Sequence, residues 1–127
     1  GIADRFHFTG FLRGEDVHKM FQLSDVYVMP SVSEPFGISP LEAMRSNVPV
    51  IISKQSGVAE VLDYAVKVDS WDVDALADAM YGLIKYPALS NMFSTKGLEE
   101  VTNLKWNNVA AKMKTIYERI VEESENK

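Results

Sequence analysis

The sequence predicts an α/β fold, a parallel sheet of about four strands flanked by helices, and three observations predict it. Short runs rich in β-branched and aromatic residues alternate with longer amphipathic stretches, the order of strand and helix units. The short runs are apolar at consecutive positions, as strands covered on both faces should be. Turn and cap residues fall between them, notably Gly14, Gly57, Asp72 and Pro87.

The first strand is expected over Phe6 to Thr9, followed by a turn, Gly10-Phe11-Leu12-Arg13-Gly14. A helix over Glu15 to Leu23 would place Val17, Met20, Phe21 and Leu23 on its apolar side. The second strand, Val26 to Met29, runs through Pro30 and Ser31 into Ser33-Glu34-Pro35-Phe36-Gly37-Ile38-Ser39-Pro40. Pro40 suits the first turn of a helix, where its missing N–H costs nothing, so a helix is expected over Ser39 to Arg45. Strands over Val48 to Ile52 and Ala65 to Val68 enclose a short helix over Val58 to Leu62 that follows the Gln55-Ser56-Gly57 turn. Asp72 is a helix cap for Val73 to Lys85, where Leu76, Ala77, Met80, Leu83 and Ile84 recur at helical spacing, and Pro87 forces the break. Two further helices are expected, over Ala88 to Thr102 and Trp106 to Glu123. Trp106, Met113, Tyr117 and Ile120 fit one buried stripe on the last, and the acids Glu122, Glu123 and Glu125 read as a solvated end.

A chain of 127 residues with 46% apolar content can bury one core, so residues 1–127 are read as a single domain. A net charge of -5 argues against a nucleic-acid surface, which needs a basic stripe to displace counterions. Neither a membrane-spanning apolar run nor a leader-like start is present, and zero cysteine excludes disulfides and thiolate metal sites. These points fit a cytoplasmic protein. His7 and His18 are not spaced as a metal pair, and both are read as structural or solvated.

The decisive segment carries two carboxylates, Glu34 and Glu42, eight positions apart around Gly37 and the start of a helix. Gly37 allows a ligand close to the backbone, and the free N–H groups opening the helix form an anion seat. A carboxylate suits a vicinal diol because its two acceptor oxygens can meet two donors. Plainer readings stand beside this one. Ser39 and Glu42 have capping-box spacing, which would make Glu42 structural, and Glu34 would serve equally as a solvated loop carboxylate.

The same segment, with Phe6-His7-Phe8-Thr9-Gly10-Phe11, Ser24-Asp25-Val26-Tyr27-Val28-Met29-Pro30-Ser31 and Asn47-Val48-Pro49-Val50-Ile51-Ile52-Ser53, resembles the latter part of the C-terminal domain of a family 4 retaining glycosyltransferase of GT-B architecture. The resemblance implies a Rossmann-like, doubly wound sheet and a single, incomplete nucleotide-sugar-binding domain. It implies that Glu34 acts at the reacting centre and accepts bonds from sugar hydroxyls. The backbone of Phe36, Gly37 and Ile38 would contact the donor sugar and diphosphate, Glu42 would hold the ribose hydroxyls, and Arg13, in the turn that borders the nucleotide base, would stack on the base or meet a phosphate, with a solvated Arg in a Gly-bounded loop as the plainer reading. The donor would be a nucleoside diphosphate sugar as substrate, with no cofactor and no bound metal.

The resemblance also implies parts outside residues 1–127. These are an N-terminal acceptor domain, two strands with their helices, and a basic pair that neutralises the leaving diphosphate. The isolated chain is therefore expected to be inactive. The full-length protein is expected to be cytoplasmic, or peripheral at the membrane. The Phe6 to Thr9 strand would lack its neighbours, so pairing of exposed strand edges into a homodimer is a further expectation. Where the family often carries paired glycines, this chain has Ser56-Gly57. Two alternatives remain open at this point: a noncatalytic nucleotide-binding or protein-interaction module, and a nucleotide-sugar epimerase of the same architecture.

Overall fold

The structure is a computed structural model that describes residues 3–6, 14–30, 38–104 and 106–126. Among these, three parallel strands lie in the order β1 (Tyr27–Met29), β2 (Val50–Ser53) and β3 (Val66–Val68). The register pairs Tyr27 with Val50 and Met29 with Ile52 on one side of β2, and Ile51 with Val66 and Ser53 with Val68 on the other. The expected first strand falls mostly on residues outside the described set. Phe6, its one described residue, is 62% exposed and belongs to no strand.

Helices fill the intervals: α1 (Glu15–Leu23), α2 (Ile38–Arg45), α3 (Val73–Lys85), α4 (Pro87–Thr102) and α5 (Trp106–Glu125). A short 3-10 turn, Gly57–Glu60, stands where a short helix was expected. The punctuation works as its chemistry requires. The Asp72 carboxylate accepts the Ala75 N–H at 2.9 Å and opens α3, and Pro87 ends that helix by becoming the first residue of α4.

Because successive strand residues point to opposite faces, β2 divides the core. Val50 and Ile52 join Leu41, Ala43 and Met44 of α2 on one face, with Tyr27 and Met29 packed against them. Ile51 faces the other way, with Val28, Val66 and Val68 beneath Leu76, Ala79 and Leu83 of α3. The result is a sheet with helices on both faces. The helix α4 reaches both layers, through Val101 in the first and Phe93 in the second.

Two expected apolar faces are corrected. On α1 no residue is fully buried: Phe21 packs edge-on against Tyr27, with ring centroids 5.7 Å apart, whereas Leu23 is 80% exposed. Among the described side chains of α5, Ile116 is buried and meets Val61 and Leu104, while Tyr117 and Ile120 are exposed. Tyr117, one residue on from Ile116, is turned about a quarter of the way round the helix and so faces outward. The side chains of Trp106 and Met113 lie outside the described residues.

The end of α2 is closed by a left-handed cap. Asn47 has φ 63°, and the N–H groups of Val48 and Asn47 return to the carbonyls of Ala43 and Met44 at 3.1 Å each. These bonds satisfy carbonyls that the helix leaves open. Replacing Asn47 by Ala should cost about 1 kcal/mol, because a Cβ without a local polar group tolerates this conformation poorly, whereas Asn47→Gly should be near neutral. Urea denaturation of the two variants checks this.

On α4, Gly97 lies against α2. A Cβ there would meet the Met44 Cε at 3.1 Å, with the Tyr64 carbonyl at 3.7 Å. Gly97→Ala should stay within about 1 kcal/mol of wild type, since the mobile end of Met44 can yield and helix propensity gains. Gly97→Leu should lose about 1 to 3 kcal/mol by overpacking in the same denaturation experiment.

Candidate functional site

The topology settles which edge of the sheet can hold a ligand. β1 and β2 are parallel and joined through α2, so α2 must run back against the strands and begin at their carboxyl edge. Residues 31–37, which join β1 to α2, lie outside the described residues. Glu34, Phe36 and Gly37 are among them, and so is Arg13 in residues 7–13. Of the expected site residues, the structure therefore places the backbone of Ile38, as the first residue of α2, and Glu42.

A cleft of ≈ 480 Å³ opens between α1 and α2, lined by Gly14, Val17, His18 and Phe21 from one side and Glu42, Arg45 and Ser46 from the other. Glu42 is half-buried, and its carboxylate makes no hydrogen bond or ion pair with any described residue. The capping-box reading required Ser39 to sit just before the helix. Among the described residues Ser39 is already helical, inside α2, with Glu42 three positions further along. The Glu42 carboxylate thus lies on the cleft wall without a partner among the described residues.

The cleft also holds residues that sequence reasoning passed over. His18 lines it, and the Gln22 side-chain amide donates to His18 Nε2 at 3.1 Å. Gly14 precedes α1 with φ 59° and ψ -122°, a conformation that only glycine adopts without strain. The signal for Gly14 was present in its place before a helix lacking a side-chain cap. The signal for His18 was not, because only the approach of α2 makes that face of α1 a wall.

Beside the cleft, the loops after β2 and β3 are tied together at the same edge by Gln55. Its side-chain nitrogen donates to Asp69 at 2.9 Å, and its Oε1 accepts from the Ser70 N–H and the Ser53 hydroxyl at 2.9 Å each. The Lys54 ammonium lies 3.8 Å from Asp69. Ser56, in the place of a family glycine, has φ -78° and ψ 148°, which any residue adopts, and its buried hydroxyl donates to the Ser53 carbonyl at 2.7 Å. Serine thus suits this loop. Gln55→Ala should leave that network without its hub and cost about 1 kcal/mol, since the exposed partners can turn to water, with faster amide exchange confined to residues 54–56 and 69–71. Exchange mass spectrometry reads both.

Comparison with known proteins decides the family. Residues 1–100 match the family described as Glycosyl transferases group 1. The chain belongs to that family. It is 27% identical over 122 residues to the mannosylfructose-phosphate synthase of Agrobacterium fabrum, covering 93% of this chain and 27% of that protein. It is 32% identical over 124 residues to the GDP-mannose-dependent alpha-(1-6)-phosphatidylinositol monomannoside mannosyltransferase of Mycobacterium tuberculosis, covering 89% of this chain and 32% of that one. The sucrose-phosphate synthase of Thermosynechococcus elongatus superposes with a TM-score of 0.76 at 30% identity, covering 95% of this chain and 31% of its own. The chain thus spans roughly a third or less of each of these group 1 relatives, and its α/β body is that of a GT-B glycosyltransferase domain. Among the described residues no helix is long and apolar enough to cross a membrane.

Proposed function

We propose that this chain is the donor-binding part of a retaining glycosyltransferase that moves a sugar from a nucleoside diphosphate sugar to an acceptor. The observation that carries the proposal is Glu42, a half-buried carboxylate with no partner among the described residues, on the wall of a cleft and one turn into a helix that begins at the carboxyl edge of a parallel sheet. Such an arrangement leaves its acceptor oxygens for donors from outside the protein, and the two hydroxyls of a ribose supply them.

Glu34, seated between β1 and α2 in the sequence, orients the sugar through its hydroxyls, and the backbone at Phe36, Gly37 and Ile38 meets the sugar and diphosphate. The bond between the anomeric carbon and the diphosphate oxygen breaks in the transfer. Positive charge develops on the sugar and negative charge on the leaving phosphate. The N–H groups opening α2 stabilise the latter. Arg13, next to Gly14 in the sequence, meets the base or a phosphate of the donor.

A multiply charged leaving group is poorly balanced by one helix end beside two carboxylates. Basic residues from a longer chain and an acceptor domain complete the reaction, so residues 1–127 alone turn over no donor.

Calorimetric titration of the chain with nucleoside diphosphates and their sugars tests the donor reading. Glu42→Gln should weaken binding of the nucleotide alone about tenfold, as expected for lost charged hydrogen bonds, with an unchanged urea midpoint. Glu34→Gln should weaken the nucleotide sugar more than the nucleotide. Equal binding by wild type and Glu42→Gln would remove the ribose role. Sugar transfer by residues 1–127 alone would remove the claim that they are incomplete.

A further inference from the structure

The helix α3 is also apolar on a face that no described element covers. Leu76, Ala79 and Leu83 of α3 pack on the sheet. Val73, Ala77, Met80, Tyr81 and Ile84 recur three, four and seven positions apart, so they form a second stripe, which faces away from the sheet. Val73 is 73% exposed, Tyr81 61% and Ile84 64%, and the ends of the helix add Trp71 at 70% and Tyr86 at 56%. Exposed apolar side chains at helical spacing along the whole of α3 point to an interaction site rather than to scattered surface residues.

The charges beside the stripe say what covers it. Asp74, Asp78 and Lys85 share the flank next to Tyr81, all are exposed, and none makes an ion pair or side-chain hydrogen bond with a described residue. The acids lie toward the start of α3 and the lysine at its end, about 16 Å apart along the axis for Asp74 and Lys85. A second α3 laid antiparallel about a two-fold axis brings Lys85 of each copy level with Asp74 of the other, and Ala77 near the crossing lets the backbones approach. Parallel pairing would instead put the two charged flanks on opposite sides of the contact, where they cannot pair. A membrane is disfavoured, because the acidic flank and the net charge of -5 repel anionic lipid.

We propose that α3 is a self-association face, on which two copies of this chain pack antiparallel through Val73, Met80, Tyr81 and Ile84 with reciprocal Asp74–Lys85 pairs. This interface is on a helix face, unlike the strand-edge pairing expected from the sequence. It is isologous, so one substitution acts twice.

Sedimentation equilibrium of the wild-type chain and three variants, with added liposomes as a separate arm, tests it. A concentration-dependent dimer is expected for the wild type. Ile84→Asn should abolish it while leaving the circular dichroism and urea midpoint in place, because the side chain is already exposed. Lys85→Glu should weaken the dimer roughly tenfold by removing two symmetry-related pairs, and the double variant Asp74→Lys with Lys85→Glu should restore it. A chain monomeric up to about 1 mM overturns the proposal. So does a dimer indifferent to Ile84→Asn, which would place the contact elsewhere, or failure of the charge exchange to restore association. Liposome binding lost in Ile84→Asn, without dimerisation, would assign the face to lipid instead.

Discussion

The parallel seating of β2 between β1 and β3 is the constraint from which the remaining geometry follows. All four of its residues are buried, so its neighbours and both helical layers must be in place before it leaves water. Parallel pairing cannot be closed by a hairpin and requires a crossover for each strand. Those crossovers are α2 and the segment around the Gly57–Glu60 turn, and each places a loop at the carboxyl edge. An edge lined with loops is thus a by-product of burying Val50, Ile51 and Ile52. The Gln55 network then joins two of the loops that burial has brought together.

The helix α2 is held firmly at its carboxyl end and along its middle. Its carboxyl end is closed by the Asn47 cap, and its middle is pinned by Met44 against Gly97 and by Leu41 and Ala43 against the sheet. Rigid support behind a helix matters when its first turn presents N–H groups to a charged ligand, since donors that need no reorganisation stabilise charge best. The low amphipathic contrast of α2 fits the same role. Pro40, Leu41, Ala43 and Met44 are buried on more than one side, leaving Glu42 as the half-covered carboxylate between them.

Much of this was legible from residues whose local chemistry is decisive. Asp72, Pro87 and the Gly14-Glu15 step place helix ends because a cap, a missing N–H and a conformation reserved for glycine act within a few residues. Three strands could be read because consecutive β-branched residues have few other stable placements. Tertiary contact decided the rest. Periodicity could place Tyr117 and Ile120 on one face of α5, but only the position of Val61 and Leu104 makes Ile116 the residue that is covered. Leu23 extends an apolar pattern on α1 that no neighbouring element meets. In α3 a single list of apolar residues concealed two faces, because a helix apolar around most of its circumference gives no phase to read. Glu42 was legible as half of a pair, yet its release from the cap depended on where α2 begins.

The acidity of the chain bears on how a site of this kind must work. A domain with a net charge of -5 sets a weakly repulsive field around an approaching diphosphate, so attraction has to be local and directional. The start of a helix meets that need because its partial charge lies on N–H groups that point at the ligand and falls off within a turn. Lys54, the cation at the edge next to β2, is engaged with Asp69 and serves the loop. Binding a nucleotide here can therefore rest on hydrogen-bond geometry with little help from net charge. On the proposed reading, expelling a diphosphate is a heavier demand than holding one, because charge then concentrates on one oxygen, and the partial charge of a helix end, which fades within a turn, answers only part of it.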